Sequence, residues 1–300
     1  MTPPRELLPY LRERRGAPSA SAGKRGWLRM AFELDGVGRS ILRELERRTP
    51  IIVQQELYFD EAMPTMPCVY LLSSGGPNVD GDRYEHHISV RRGAFAHLST
   101  GAATKLAEMT SDYSSLTQTF ELEADSYLEY LPEPTIPCRH ARYVSRARIV
   151  IDRTATLFLA EIYLSGRRHK RGGERFAFDI LSLATTAERP DGEQLFAERM
   201  VIEPSHHAPD TLGAMGRWEV LGNCFVLAPE QITEQIYTQI RPTAAQDLAI
   251  GVTRLPSHCG LVIKVLGNDT ATIKRTIRSL CSTVRQVVKG CPLPNEFPWR

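Results

Sequence analysis

A mainly β protein, with its long helices kept to the last quarter of the chain, is the architecture this sequence predicts. Three observations carry it. Short segments alternate apolar and polar residues with period two, as half-buried strands do. Turn residues recur about every 8–12 positions, the spacing of an all-β sandwich, barrel or coil. A strong helical period appears only late, where Ile273, Ile277, Leu280, Val284, Val287 and Val288 recur at i, i+3, i+4 and i+7.

The elements follow in order. Residues 1–26 are rich in Pro, Arg, Ser and Gly and read as a flexible N-terminal extension, with a short amphipathic helix available over Arg5 to Arg15. Glu6 and Glu13 argue against a transit peptide there. The body, 27–300, reads as a single domain with no linker and no internal repeat. Trp27 to Leu34 alternates as a strand, and Asp35-Gly36-Val37-Gly38 is a hairpin-type turn. Ile41 to Arg48 has helical composition but sits where a return strand belongs, and propensity does not decide between them. Strands are then expected at 51–55, 69–72, 83–90, 94–98, 118–123, 127–131, 142–150, 155–163, 175–183, 194–202 and 221–227. Pro229 to Ile240 and Asp269 to Lys289 are the two expected helices, the second started by Asn268-Asp269 and stopped by Gly290 and Pro292.

The totals exclude several classes. A formal charge of +2 on 300 residues is too mild to argue for nucleic acid. Six scattered cysteines without a C-x-x-C pair fit reduced thiols of a cytoplasmic protein better than a disulfide framework. No apolar run approaches the ~18 residues of a membrane span. The phosphate-binding G-x-x-x-x-G-K-[ST], the G-x-S-x-G elbow and H-E-x-x-H are all missing.

The polar residues inside strands are the candidates for function. His86 and His87 are adjacent on a strand, so they face opposite sides and do not share an ion; one packed and one solvated is expected. His206-His207 is expected at the surface, with a transient metal site as the alternative, His258-Cys259 likewise, with a soft-metal pair as the alternative, and no four-ligand metal spacing appears. Glu129, Glu161 and Glu198 each interrupt an apolar strand. Outward-facing carboxylates are expected; inward-facing ones would make a polar interior that needs partners or a cation. Glu129, Glu161 and Glu174 around one open pocket would instead suggest a hydrolase with carboxylate acid and base.

Taken in order, a set of short pieces resembles the UreD (UreH) family of urease accessory proteins. They are Trp27, Thr49-Pro50-Ile51-Ile52-Val53-Gln54, Gly75-Gly76 leading to Gly81-Asp82, and Ala102-Ala103-Thr104-Lys105. Leu128-Glu129-Tyr130-Leu131-Pro132, Gly166-Arg167, Gly173-Glu174-Arg175-Phe176, the last helix and the final Pro298-Trp299 complete the set. The Gly-Gly to Gly-Asp loop is one residue longer than the family's and carries Asp80. Tyr130 stands for the usual Trp, and no aromatic follows Lys105 closely.

The resemblance implies a coiled, β-helix-like arrangement of short sheets with about two helices, the last one C-terminal. It implies a non-enzymatic scaffold that binds UreF and, through it, the GTPase UreG, docks on apo-urease and passes nickel to the active site. No tightly bound cofactor is implied; nickel is in transit. The family positions tied to a nickel passage fall on Asp82, Thr104, Glu161 and Glu198. Oxygen ligands suit such a conduit, because paired thiolates would trap the ion. Asp80 is expected to be a solvated turn residue, with an added cation-attracting carboxylate as the alternative. Asp80, Glu129 and Glu174 are the further polar candidates.

Overall fold

The alternation read from the sequence becomes strands dealt in turn to two sheets. The computed structural model describes residues 3–12, 23–170, 172–211 and 213–294. The expected tail over 17–22 and the Pro298-Trp299 ending lie outside them. The chain begins with strands β1 (Arg25–Leu34), β2 (Ser40–Arg48), β3 (Ile51–Val53), β4 (Cys68–Ser73), β5 (Arg83–Val90) and β6 (Phe95–Thr100). It continues through β7 (Thr104–Leu106), β8 (Ser114–Leu122), β9 (Tyr127–Leu131), β10 (Thr135–Pro137), β11 (Arg142–Ile151) and β12 (Thr156–Leu164). The rest are β13 (Ile180–Glu188), β14 (Gln194–Ile202), β15 (Val220–Leu227), β16 (Thr243–Ala244), β17 (Leu248–Arg254) and β18 (Gly260–Gly267). Three α-helices accompany them: α1 (Leu8–Arg12), α2 (Glu230–Gln239) and α3 (Thr270–Lys289).

A seven-stranded sheet runs β14-β13-β11-β8-β5-β1-β2, and an eleven-stranded sheet runs β16-β17-β18-β15-β12-β9-β6-β4-β3 with β7 and β10 beside it. Between β4 and β13 the chain visits the two sheets alternately, so β5, β8, β11 and β13 stack parallel in one, and β4, β6, β9 and β12 in the other. Parallel neighbours need a long crossover. Here the crossover is a strand of the opposite sheet rather than a helix, which produces the expected mainly β coil with its last helix at the C-terminus. Ile41 to Arg48 resolves as the return strand, paired antiparallel to β1 with Met30 opposite Leu45.

Two apolar layers hold the fold. The first lies between the sheets and includes Leu28, Met30, Ile88, Phe120, Ile149, Leu157, Leu159 and Phe225. The second lies behind the larger sheet, where Ile273, Ile277, Leu280, Cys281 and Val284 of α3 pack on Phe158, Ala160, Cys224 and Ile263. α3 is capped by Asp269, whose side chain accepts from Thr272 N, and ends at Gly290 with φ 74°. Its close approach needs a residue without Cβ beneath it: a Cβ on Gly222 would stand 2.8 Å from Ile277 Cδ1.

Two expectations are corrected. The stretch 1–26 is not flexible throughout: residues 5–12 are helical, Leu7 is fully buried, and Tyr10 packs with Tyr113, Val144 and Ile180. Arg142 also donates to the Tyr10 carbonyl at 2.8 Å, a long-range anchor no local pattern reveals. The strand expected from Arg175 begins only at Ile180. Arg167 ties Glu174 down through two hydrogen bonds of 2.6 Å, and Phe176 takes a positive φ of 49°. Gly166 permits that clasp, since a Cβ there would meet the Glu174 carbonyl oxygen at 1.8 Å.

Candidate functional site

Strand register sets polar residues in facing rows between the sheets. In the smaller sheet one row reads Leu28, His86, Gln118, Ala147, Thr185 and Glu198. Paired positions share a face, and the next row toward the core (Met30, Ile88, Phe120, Ile149, Ala187, Phe196) is apolar. In the larger sheet Glu161 lies opposite Asn223, and Asn223 opposite Lys264. The two sheets join across this level. Gln118 Nε2 donates to the Tyr130 hydroxyl at 3.1 Å, and Asn223 Nδ2 reaches Glu161 Oε2 at 3.3 Å and Glu198 Oε1 at 3.5 Å.

Glu161 is the electrostatic focus of this band. It accepts from the Tyr163 hydroxyl at 2.9 Å and from Asn223, both neutral donors. Burial dominates those bonds, so its carboxyl is held above the ordinary carboxylate range. Its proximity also helps push the buried Tyr143 and Tyr163 hydroxyls well above the usual phenol range, burial being the larger cause. Glu198 sits nearer solvent, paired with Lys264, whose ammonium also donates to Asn223 Oδ1 at 2.8 Å. Two carboxylates thus share one ammonium and one bridging amide. Such a site is short of positive charge whenever Glu161 is ionised.

A cavity of about 560 Å³ opens beside this band. Thr104, Thr100, Tyr84, His86, Leu116 and Tyr143 are among its walls. Thr104 belongs to a row with Thr135 and Tyr163, so it is tied by register to the Glu161 partner. Glu161 and Glu198 therefore share a level through Asn223, and Thr104 lies one row away, at the level of Tyr163. Asp82 stands apart from them. It is fully buried, accepts from Lys24 N at 2.7 Å and Val79 N at 2.9 Å, and pairs with the Lys24 ammonium at 2.8 Å. That ammonium also bonds the carbonyls of Gly75 and Pro77, so it staples the Gly-Gly loop to the edge of the cavity.

Asp80 is neither solvated nor available to a cation. It is buried and accepts from the backbone N–H groups of Thr110, Ser111 and Asp112 and from the Thr110 hydroxyl. Asp80 therefore anchors the Thr110–Asp112 segment. The outward-facing expectation fails for Glu129, Glu161 and Glu198. Glu129 lies on the helix side of the larger sheet, in a network with Arg285, His97, Tyr127 and, through Arg285, Asp60. Arg285 and Asp60 are as fully enclosed as Glu129. Although burial opposes ionisation, the bidentate Arg285 and the His97 contact bring the Glu129 carboxyl down to about 2. Glu174 is held by Arg167 and Lys170, which likewise lower it to about 2. Glu129, Glu161 and Glu174 thus occupy three separate environments, and the shared pocket of a hydrolase does not form.

His86 faces the interior and His87 faces out, where it meets Glu121 at 3.0 Å. His206 and His258 are exposed beside Glu203 and Glu230, and Cys259 is buried away from its neighbour. Among the described residues no three His, Cys, Asp or Glu side chains converge to cage a metal. None of the helices there is long and apolar enough to cross a membrane. Reasoning from sequence missed Asn223, Lys264, Asp60, His97 and Arg285. The first two had a readable signal, because each is the one polar side chain inside a wholly apolar strand, VLGNCFVL or GLVIKVLG.

A sequence model described as UreD urease accessory protein matches residues 24–300. The chain is 40% identical over 297 residues to urease accessory protein UreD 2 of Brucella suis, covering 98% of both chains. It is 39% identical over 303 residues to urease accessory protein UreD of Yersinia enterocolitica, covering 98% of this chain and 92% of that one. With urease accessory protein UreD of Photorhabdus laumondii it shares 40% identity over 284 residues, covering 94% of this chain and 88% of the other.

Proposed function

The chain belongs to the UreD family of urease accessory proteins, and from that premise we propose that it passes nickel to apo-urease along the polar band between its sheets. In this reading it is a cytoplasmic, non-catalytic scaffold that binds UreF and, through UreF, the GTPase UreG. Glu161 carries the proposal: a half-buried carboxylate with neutral donors and a raised proton affinity gains most from a passing cation. Glu198, nearer solvent and sharing Asn223, serves as the next oxygen ligand. Thr104 supports the opposite end, in the cavity wall. Asp82 acts indirectly, by fixing the loop that borders the cavity through Lys24. Oxygen donors bind a divalent ion without the hold of thiolates, so the ion can move on.

The test is urease nickel content after co-expression with Glu161→Gln or Glu198→Gln. Both variants are expected to co-purify with the accessory partners and the urease subunits. Nickel content is expected to fall at least about tenfold, the usual scale for losing a group that tunes a metal site. Normal nickel content in both variants overturns the passage.

A further inference from the structure

The cavity of about 560 Å³ is far more space than close packing leaves inside a domain, where voids larger than a water are few. Its volume lies in the range of ligand sites, roughly 300–1,000 Å³, and its wall has their usual make-up, mainly apolar and aromatic with a few polar groups. Ile51, Leu71 and Tyr143 are buried and form an apolar floor. Gly76, Ala102 and Lys105 are exposed and form the rim. Lys105 is the one charged residue on the wall, and among the described residues its ammonium has no acidic partner. The opening is preformed, because the loop beside it is tied down from three sides. The Lys24 ammonium donates to the Gly75 and Pro77 carbonyls, Asn78 N donates to the Lys105 carbonyl at 2.8 Å, and Ala107 N donates to the Asn78 carbonyl at 2.8 Å. An apolar floor draws apolar groups out of water, and an unpaired ammonium at the rim favours an anion over a cation.

We propose that this cavity binds a medium-chain carboxylic acid, its alkyl chain on the floor and its carboxylate at the Lys105 ammonium. The two ends do different work. Burial of the chain supplies the affinity, about a fourfold gain for each methylene taken out of water. Lys105 supplies direction more than affinity, because a charge pair open to water is worth only about two- to fivefold. It sets the acid head-outward and disfavours an amine of the same length. The closed floor limits the length of the chain, so the gain stops once the floor is reached. This property goes beyond the nickel passage and does not depend on it, since it is read on the chain without nickel and without partners.

The experiment is calorimetric titration of the purified full-length chain with hexanoate, octanoate and decanoate, each below its micelle concentration, beside 1-octanol and octylammonium. Octanoate is expected to bind about sixteenfold tighter than hexanoate, and octylammonium to bind more weakly than octanoate. Lys105→Met is expected to weaken octanoate about two- to fivefold and to leave 1-octanol unchanged. Ala103→Trp, a bulky side chain on the wall, is expected to abolish binding of all of them. No binding of octanoate, or equal affinity for hexanoate and octanoate, overturns the inference. So does octylammonium bound as tightly as octanoate, or an Ala103→Trp chain that binds octanoate like wild type. The ligand series on the wild-type chain decides even if a variant does not fold. Octanoate binding with normal urease nickel in Glu161→Gln and Glu198→Gln keeps this site and sinks the passage. The reverse pattern keeps the passage and sinks this site.

Discussion

The larger sheet carries a glutamate on each of its faces, Glu129 fully buried and Glu161 half-buried, and the two are treated in opposite ways. Glu129, on the helix side, faces a bidentate guanidinium and holds its proton only below about 2. Glu161, between the sheets, faces a phenol and an amide and holds its proton above the ordinary range. Both are desolvated; the partner decides the sign. The Glu129 network is closed, with Arg285, Asp60 and Glu129 all sealed from solvent. The Glu161 band ends in the part-exposed Glu198–Lys264 pair on one side and a cavity wall on the other. A saturated network fastens a helix, and an under-satisfied one has room for a cation.

Breaking the closed network gives the largest expected effect. Arg285→Met leaves two carboxylates buried without their cation and is expected to cost about 3–5 kcal/mol, read by urea denaturation. A loss under about 1 kcal/mol would mean that α3 does not depend on this ion network. The next contrast is between glutamines at the two glutamates. Glu129→Gln is expected to lower the melting temperature at pH 7. Glu161→Gln is expected to leave it unchanged or raise it, since ionised Glu161 is a burden there. Equal destabilisation by both would erase the distinction drawn here.

The pH dependence carries the same opposition in sign. Glu129 has a folded value below the ordinary 4.5, so its stabilisation is present above 4.5 and lost as pH falls toward about 2. Glu161 is raised above 4.5, so its favourable contribution is full below 4.5 and is lost as pH climbs through the raised value. Denaturation of the two glutamine variants across pH 3–8 is expected to show curves that differ from wild type at opposite ends.

Smaller effects sharpen the same picture at the cavity edge. Lys24→Met removes one charged donor from Asp82 but leaves its two backbone donors, for an expected loss of about 1–2 kcal/mol by urea denaturation. His87→Ala removes a surface pair with Glu121 and is expected to change stability by no more than about 0.5 kcal/mol. A larger change would give the outer face of β5 a role that its solvent exposure does not suggest.

Period-two alternation and turn spacing determined most of the strands between residues 83 and 202, with 83–90, 127–131 and 194–202 bounded to the residue, but they missed β7 and β10 and started β13 five residues early. The 3.6-residue period and its caps determined α3. These signals are local, because a pleat or a helical face repeats within one segment. Alternation also separated His86 from His87. Ordered short pieces carried the family resemblance. What alternation did not determine was which face is interior. In this coil the larger sheet has covered faces on both sides, so parity alone cannot tell solvent from core for Glu129 and Glu161, and on the smaller sheet alternation does not say which face of β14, the one with Glu198 or the other, meets the core. The Asp60–Arg285–Glu129 network joins residues 225 and 156 positions apart. The anchoring of residues 5–12 on β11 spans a similar distance. Only the tertiary structure decided these, because the energy that reorients a buried charge comes from the partner brought to it, and that partner is written nowhere near it in the chain.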